Sequence, residues 1–277
     1  MRPLAASGAA RASIAVPVRG GVLHGEVSGE GPAALFLHGW TLDRRMWRPQ
    51  VEVLSSTFRV AAIDRRGFGA STPPPDLDQE LDDILAVLDA LAVDRCALIG
   101  MSQGGRVALR FADRRPDRLW GLVLQSAPLD GFAPGPRPEE AIPLDAYRDL
   151  VRGGAIDAMR AAWSSHPLMA FPGHLDRSAL DAMLEAYDGR DLGEVISPRG
   201  EAPDLARRLD TIAVPALVIT GEHDPPWLQL VGDALAYGLP QGGRQVMADA
   251  GHMSNLSHPE AFNAAVGAFL GDTAVRS

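Results

Sequence analysis

Short apolar runs alternate along the chain with longer stretches in which apolar positions recur every third or fourth residue. Residues 14–18 and 22–27 flank Gly20 and Gly21 and predict a hairpin at a sheet edge. Ala33–Leu37, held between Pro32 and the dipeptide His38-Gly39, predicts a buried strand, and residues 58–63 and Leu119–Gln125 predict two more. Residues 43–54 predict a helix capped by Asp43, with Trp47 and Val51 at helical spacing. From Asp76 the period becomes 3.6: Leu77, Leu81, Ile84, Leu85, Leu88 and Leu91 form one stripe, opposite Asp78, Glu80, Asp82 and Asp89. That stripe predicts an amphipathic helix packed on a sheet. Strands alternating with helices in this way predict an α/β fold with a parallel sheet covered on both faces.

The alternation breaks after residue 128. Pro128, Pro134, Pro136, Pro138 and Pro143 crowd a short stretch, and Leu144–Arg152, 156–163 and 176–187 predict short helices with no strand between them. Residues 129–204 are therefore expected to form a helical cap inserted into a core made of residues 13–128 and 205–277. Residues 1–12, small and lightly basic, are expected to be a disordered tail. Alternation resumes with a strand at 216–220, a helix near 227–237, a strand near 244–247 and a closing helix at 259–270. No internal repeat or low-complexity block interrupts the pattern.

A chain of 277 residues suits one domain, or one domain with an insertion. With 26 basic and 35 acidic residues its formal charge is -9, which opposes nucleic acid and anionic membrane as partners and leaves room for a small neutral or mildly anionic substrate. All the basic residues are arginine. The absence of lysine excludes Schiff-base chemistry, Ser-Lys catalysis and a P-loop lysine. Cys96 is the single cysteine, and no CxxC or HExxH is present, so neither an internal disulfide nor a zinc site is expected. The first dozen residues lack the apolar core of a secretory signal, and no apolar run is long enough to span a membrane. A cytoplasmic location is expected. Whether the chain forms a homo-oligomer stays open.

Residues 96–111 carry the candidate chemistry. A buried run (Ala97, Leu98, Ile99) ends in Gly100-Met101-Ser102-Gln103-Gly104 and passes into a helix-compatible segment, which reads as strand, sharp turn, helix. Such a turn lifts its central serine onto a tight bend, and Ser102 is the candidate nucleophile. A serine hydroxyl needs a histidine base and a carboxylate to orient it. His252, in a glycine-flanked loop after the last strand, is the candidate base among His24, His38, His166, His174, His223 and His258. Asp224, in the loop after the strand at 216–220 and before Pro225-Pro226, is the candidate acid, with Glu222 and Asp249 as competitors. The N–H of Gln103, at the start of its helix, is a candidate donor to a developing oxyanion.

The order Ser102, Asp224, His252 resembles that of α/β-hydrolase triads, and the likeness extends over nearly the whole length. LHGW, DRRGFG, GMSQGG, GEHD and AGHMSN together resemble the small-capped, cofactor-free branch of that superfamily, which includes 3-oxoadipate enol-lactonases, short-acyl carboxylesterases and cofactor-free haloperoxidases. The resemblance implies an α/β-hydrolase fold with a mostly parallel eight-stranded sheet and an inserted helical cap. It implies a serine hydrolase that needs no cofactor and no metal and cleaves a small ester or lactone. By the same likeness, the Trp40 N–H supplies a second oxyanion donor, and DRRGFGAS is a structural segment in which Arg66 ties loops together. A serine at 102 disfavours haloalkane dehalogenases and epoxide hydrolases, and Gln103 departs from the methionine common in enol-lactonases and haloperoxidases. Trp40, Met101, Trp163, Met169, Phe171 and Trp227 are candidates for an apolar acyl pocket, set against ordinary core packing. Arg137, Arg148 and Arg160 could meet a substrate carboxylate, set against a solvated face. Perhydrolysis, carbon-carbon bond hydrolysis and a non-catalytic ligand receptor on the same scaffold are the rival readings.

Overall fold

The computed structural model describes residues 11–133, 135–193 and 203–275. β1 (Arg11–Val18) and β2 (Gly21–Ser28) make the expected antiparallel hairpin. β1 begins at Arg11, so residues 11 and 12, assigned to a tail from sequence, belong to the sheet; residues 1–10 of that tail lie outside the described residues. β3 (Ala33–Leu37), β4 (Arg59–Ile63), β5 (Cys96–Met101), β6 (Leu119–Gln125), β7 (Ala216–Gly221) and β8 (Gly242–Met247) complete one eight-stranded sheet. Its order is β1-β2-β4-β3-β5-β6-β7-β8, and every pairing beyond β4 is parallel.

Parallel neighbours need long crossovers, and helices supply them. α1 (Arg48–Leu54) links β3 to β4, α2 (Glu80–Ala90) links β4 to β5, and α3 (Gln103–Arg114) links β5 to β6. Asp43 caps the 3-10 turn that leads into α1, its side chain accepting from the Arg45 N–H. Between β6 and β7 the described residues contain helices and turns but no strand: α4 (Leu144–Arg152), α5 (Ile156–Ser164), α6 (Ser178–Ala186) and the short α7 (Arg190–Gly193). α8 (Pro226–Gly238) joins β7 to β8, and α9 (Ser254–Ser257) and α10 (Pro259–Ala274) close the chain. No described helix is long and apolar enough to cross a membrane.

The period-two alternation of strand side chains divides the apolar runs between two cores. Ala97, Ile99 and Met101 of β5 and Phe36 of β3 share a cluster with Val51 of α1 and Phe262 and Val266 of α10. Cys96, Leu98, Leu35 and Leu37 share the other with Val87 of α2, Phe111 of α3 and Val231 of α8. Full burial of a Leu, Ile or Phe contributes about 1.5–3 kcal/mol each. The first cluster continues into the helical layer through Tyr147, Trp163, Leu180 and Leu184. Leu129, the first residue of the expected cap, and Leu205, the residue after it, are buried in the second cluster. Residues 134 and 194–202 of the expected cap lie outside the described residues.

α2 departs from its predicted stripe at the first turn. Glu80, expected on the polar face, is buried, as is Asp83, because two arginines after β4 reach them. Arg65 meets Glu80 with two bonds of 2.7 Å, and Arg66 meets Asp83 at 2.6 and 2.8 Å. Arg66 also donates to the carbonyls of Pro74 and Arg19, which fits the loop-tying role expected of it.

Candidate active site

Ser102 sits between β5 and α3 with φ +50° and ψ −117°, a conformation that costs a non-glycine residue about 1–3 kcal/mol. The turn is held on both sides: the Ser102 N–H donates to the Gln125 carbonyl of β6 (2.8 Å), and its own carbonyl accepts from the Arg106 N–H (3.0 Å). A Cβ at Gly100 would run into the Gly104 carbonyl, and one at Gly104 into the carbonyls of Leu37 and His38. Both glycines are therefore required for helix and strands to approach this closely. Gln103 opens α3, so its N–H has no partner within the helix. Among the described residues no hydrogen bond engages the Trp40 N–H either.

Asp224 follows β7 in a turn closed by its own N–H on the Gly221 carbonyl (3.1 Å). Its Oδ1 meets His252 Nδ1 at 2.8 Å, while Oδ2 accepts from Ser126 Oγ (2.6 Å) and from the Gly221 N–H (2.9 Å). Burial by itself would raise the Asp224 carboxyl. The adjacent His252 and the two donors at Oδ2 outweigh that and hold it below the usual carboxylate value. With Oδ1 an acceptor, Nδ1 of His252 carries a proton, so in the neutral ring the lone pair lies on Nε2. Gln125 Nε2 donates to the His252 carbonyl (3.3 Å) and to Ser254 Oγ and Asn255 Oδ1 (3.1 Å each), which fixes the histidine loop to the end of β6.

Ser102 and His252 line one cavity of about 550 Å³, between the sheet's loops and the helical layer, and both also border a side recess of about 20 Å³. Trp40 and Trp227 line the cavity with Leu228 and Ile142; Arg106, Arg110 and Arg148 line it together with the acidic Asp76, Asp78, Glu80 and Asp191. Met101, Trp163 and Met169 line the recess instead. Phe171, expected in the acyl pocket, borders neither space and packs against the first core cluster. Of the three arginines that could meet a substrate carboxylate, Arg148 lines the cavity while paired with Asp145, Arg137 is paired with Glu140, and Arg160 with Asp157 and the Tyr187 carbonyl.

The competing candidates have other partners. Glu222 Oε2 accepts from the Asp249 N–H (2.9 Å), and the exposed Glu222, His223 and Asp249 bring ligand-type atoms within 4.8 Å of one another on the outside of the loop. His38 is fully buried, donating from Nδ1 to the Gly39 carbonyl (2.7 Å) and accepting at Nε2 from the Arg65 N–H (2.9 Å). Burial, aided by Arg65, pushes it down to about 3, so it stays neutral. Arg65 also donates to the His38 carbonyl and to Gln103 Oε1 (3.0 Å each), and so ties the loop after β3 to the first residue of α3.

Two further residues at this site had no motif to mark them. Ser126, at φ +45° just past β6, reads in sequence as a serine after a strand. Asp191 of α7 lies on the cavity wall and accepts from Trp40 Nε1 at 2.7 Å, a contact between residues 151 positions apart.

A model of the alpha/beta hydrolase family matches residues 34–265. The 2-hydroxy-6-oxononadienedioate/2-hydroxy-6-oxononatrienedioate hydrolase of Paraburkholderia phymatum is 30% identical over 254 residues, 88% of this chain and 85% of that protein. The 3-oxoadipate enol-lactonase 1 of Acinetobacter baylyi is 28% identical over 239 residues, 83% of this chain and 85% of its own. Among solved structures, a thermophilic esterase from Thermogutta terrifontis superposes with a TM-score of 0.74 at 27% identity, covering 96% of this chain and 99% of that one.

Proposed function

Because the chain belongs to the alpha/beta hydrolase family, we propose that it hydrolyses a small carboxylic ester or lactone through an acyl-enzyme on Ser102. Ser102 Oγ adds to the substrate carbonyl carbon as His252 Nε2 takes its proton. The N–H groups of Gln103 and Trp40 receive the resulting oxyanion. Collapse of the tetrahedral intermediate breaks the C–O bond, and His252 returns the proton to the departing alkoxide. Water, deprotonated by the same Nε2, then adds to the acyl group and releases the acid, with the proton passed back to Ser102. Asp224 holds the tautomer and stabilises the imidazolium throughout.

The observation that carries this reading is the 2.8 Å bond between His252 Nδ1 and Asp224 Oδ1, with both Ser102 and His252 facing one cavity. About 550 Å³ falls in the range of small-molecule sites. Relatives named as an esterase and an enol-lactonase support the ester or lactone class. The relative named as a hydrolase of 2-hydroxy-6-oxononadienedioate supports a second reading, carbon-carbon bond hydrolysis on the same residues. A panel of p-nitrophenyl esters, lactones and a vinylogous diketone separates the two. Ser102→Ala should lower turnover of whichever substrate is accepted by about three orders of magnitude or more, with the fold intact. Wild-type rates from that variant would refute both readings.

A further inference from the structure

Trp40 is gripped through three sets of contacts, from two sides. On the core side, the Gly39 carbonyl accepts from His38 Nδ1 at 2.7 Å. That carbonyl and the Trp40 N–H belong to one planar peptide and point opposite ways, so a bond to the first sets the direction of the second. From the helical layer, Asp191 Oδ2 takes the indole N–H at 2.7 Å while Tyr187 Oη donates to Oδ1 at 2.5 Å. Also from that layer, Trp163 Nε1 donates to Thr41 Oγ1 (2.7 Å), and the same hydroxyl donates to the Trp40 carbonyl (2.6 Å). The Trp163 ring packs edge-on against Trp40 at 4.8 Å.

Thr41 shows why these bonds matter. Its φ of +63° is an outlier for a β-branched residue, and such a conformation persists only where the surroundings over-determine it. The hydroxyl relay from Trp163 is what engages that side chain. We propose that Asp191 and Trp163 are positioning residues: through the Trp40 indole and through Thr41 they hold the Trp40 peptide so that its N–H serves the oxyanion. The inference rests on the acyl-enzyme reading above. It makes the helical layer part of the catalytic apparatus as well as a wall of the substrate cavity.

A merely structural Asp191 would cement the layer to the core, and its loss would lower stability and leave the rate per folded molecule alone. The test is therefore kinetic. Asp191→Leu and Trp163→Phe should each lower kcat by about tenfold to a hundredfold, less than the cost of deleting an oxyanion donor outright, with KM for a p-nitrophenyl ester within about twofold. Affinity for a tetrahedral analogue such as a trifluoromethyl ketone should fall in parallel. Asp191→Asn, whose amide oxygen still accepts from the indole, should retain most of kcat. Trp40→Phe removes the indole donor but not the backbone N–H, and in that background Asp191→Leu should cost little more.

Thermal unfolding of each variant identifies those that fold, and Trp163→Phe, which keeps an aromatic ring at the position, decides the matter if Asp191→Leu does not. Wild-type kcat and analogue affinity in folded Asp191→Leu or Trp163→Phe overturn the inference, as does full additivity of Trp40→Phe with Asp191→Leu. If Ser102→Ala is inactive while these variants match wild type, the positioning role alone falls. If Ser102→Ala stays active, the acyl-enzyme reading falls with it.

Discussion

Asp224 engages both carboxylate oxygens, and the two sides are not equivalent. Oδ2 receives two donors, Ser126 Oγ and the Gly221 N–H, whereas Oδ1 receives His252 alone. In Asp224→Asn the amide oxygen is drawn to the side with two donors, which turns the NH2 toward His252. The histidine must then present Nδ1 as an acceptor and carry its proton on Nε2, where it cannot take one from Ser102. We expect kcat to fall by roughly 10³–10⁴ with folding preserved. Ser126→Ala removes one of those donors and should be the milder change. The same contacts set a pH dependence. The Asp224 carboxyl is depressed in the folded chain, so its contribution to stability is full above about pH 3.9 and is lost as pH falls through the lower folded value. The stability gap between wild type and Asp224→Asn should therefore narrow as urea midpoints are followed downward from pH 6. A gap that widens below pH 4 contradicts this account.

At the scale of elements, the loop after β4 joins what the sheet order separates. Arg65 bridges Glu80 of α2, the His38 carbonyl after β3 and Gln103 of α3, with a side chain that is fully buried. Burial, the largest influence on Glu80, raises its carboxyl despite the guanidinium beside it. Removing one partner of such a pair strands the other. Arg65→Met should cost about 3–5 kcal/mol in chemical denaturation, and the double change Arg65→Met with Glu80→Leu should cost less. A double variant less stable than the single one argues against this. This pair also marks where sequence reading stopped. Strands and helices were legible because apolar periodicity follows element type, and the nucleophile turn because its glycines are sterically demanded. Glu80 falls on the polar face of a helical wheel, which cannot show an arginine arriving from another loop. Ser126, Asp191 and Arg65 have roles set by contacts across 15 to 151 positions, and residue type alone points Phe171 to a pocket that it does not line.

Across the whole molecule, the first hydrophobic cluster runs without a break from the sheet face under α1 and α10 into the helical layer. Arg190 adds polar anchors to the carbonyls of Gly67 and Gly69 (3.0 and 2.6 Å). Core and layer are thus expected to unfold together, because separating them would expose Trp40, Tyr147 and Trp163 at once. The central strand offers a way to watch that event. Cys96, the chain's single thiol, lies at the start of β5 with no exposure, and burial pushes it up to about 12. In the folded chain it is both sheltered and protonated, and alkylating reagents attack thiolates. Iodoacetamide should leave the native protein untouched and then mark it at the pace of global opening, accelerating with urea in step with loss of circular dichroism. A modification rate that ignores denaturant would mean that β5 frays by itself. Otherwise this sulfur is a built-in stopwatch for the fold, six residues upstream of the serine on which the chemistry turns.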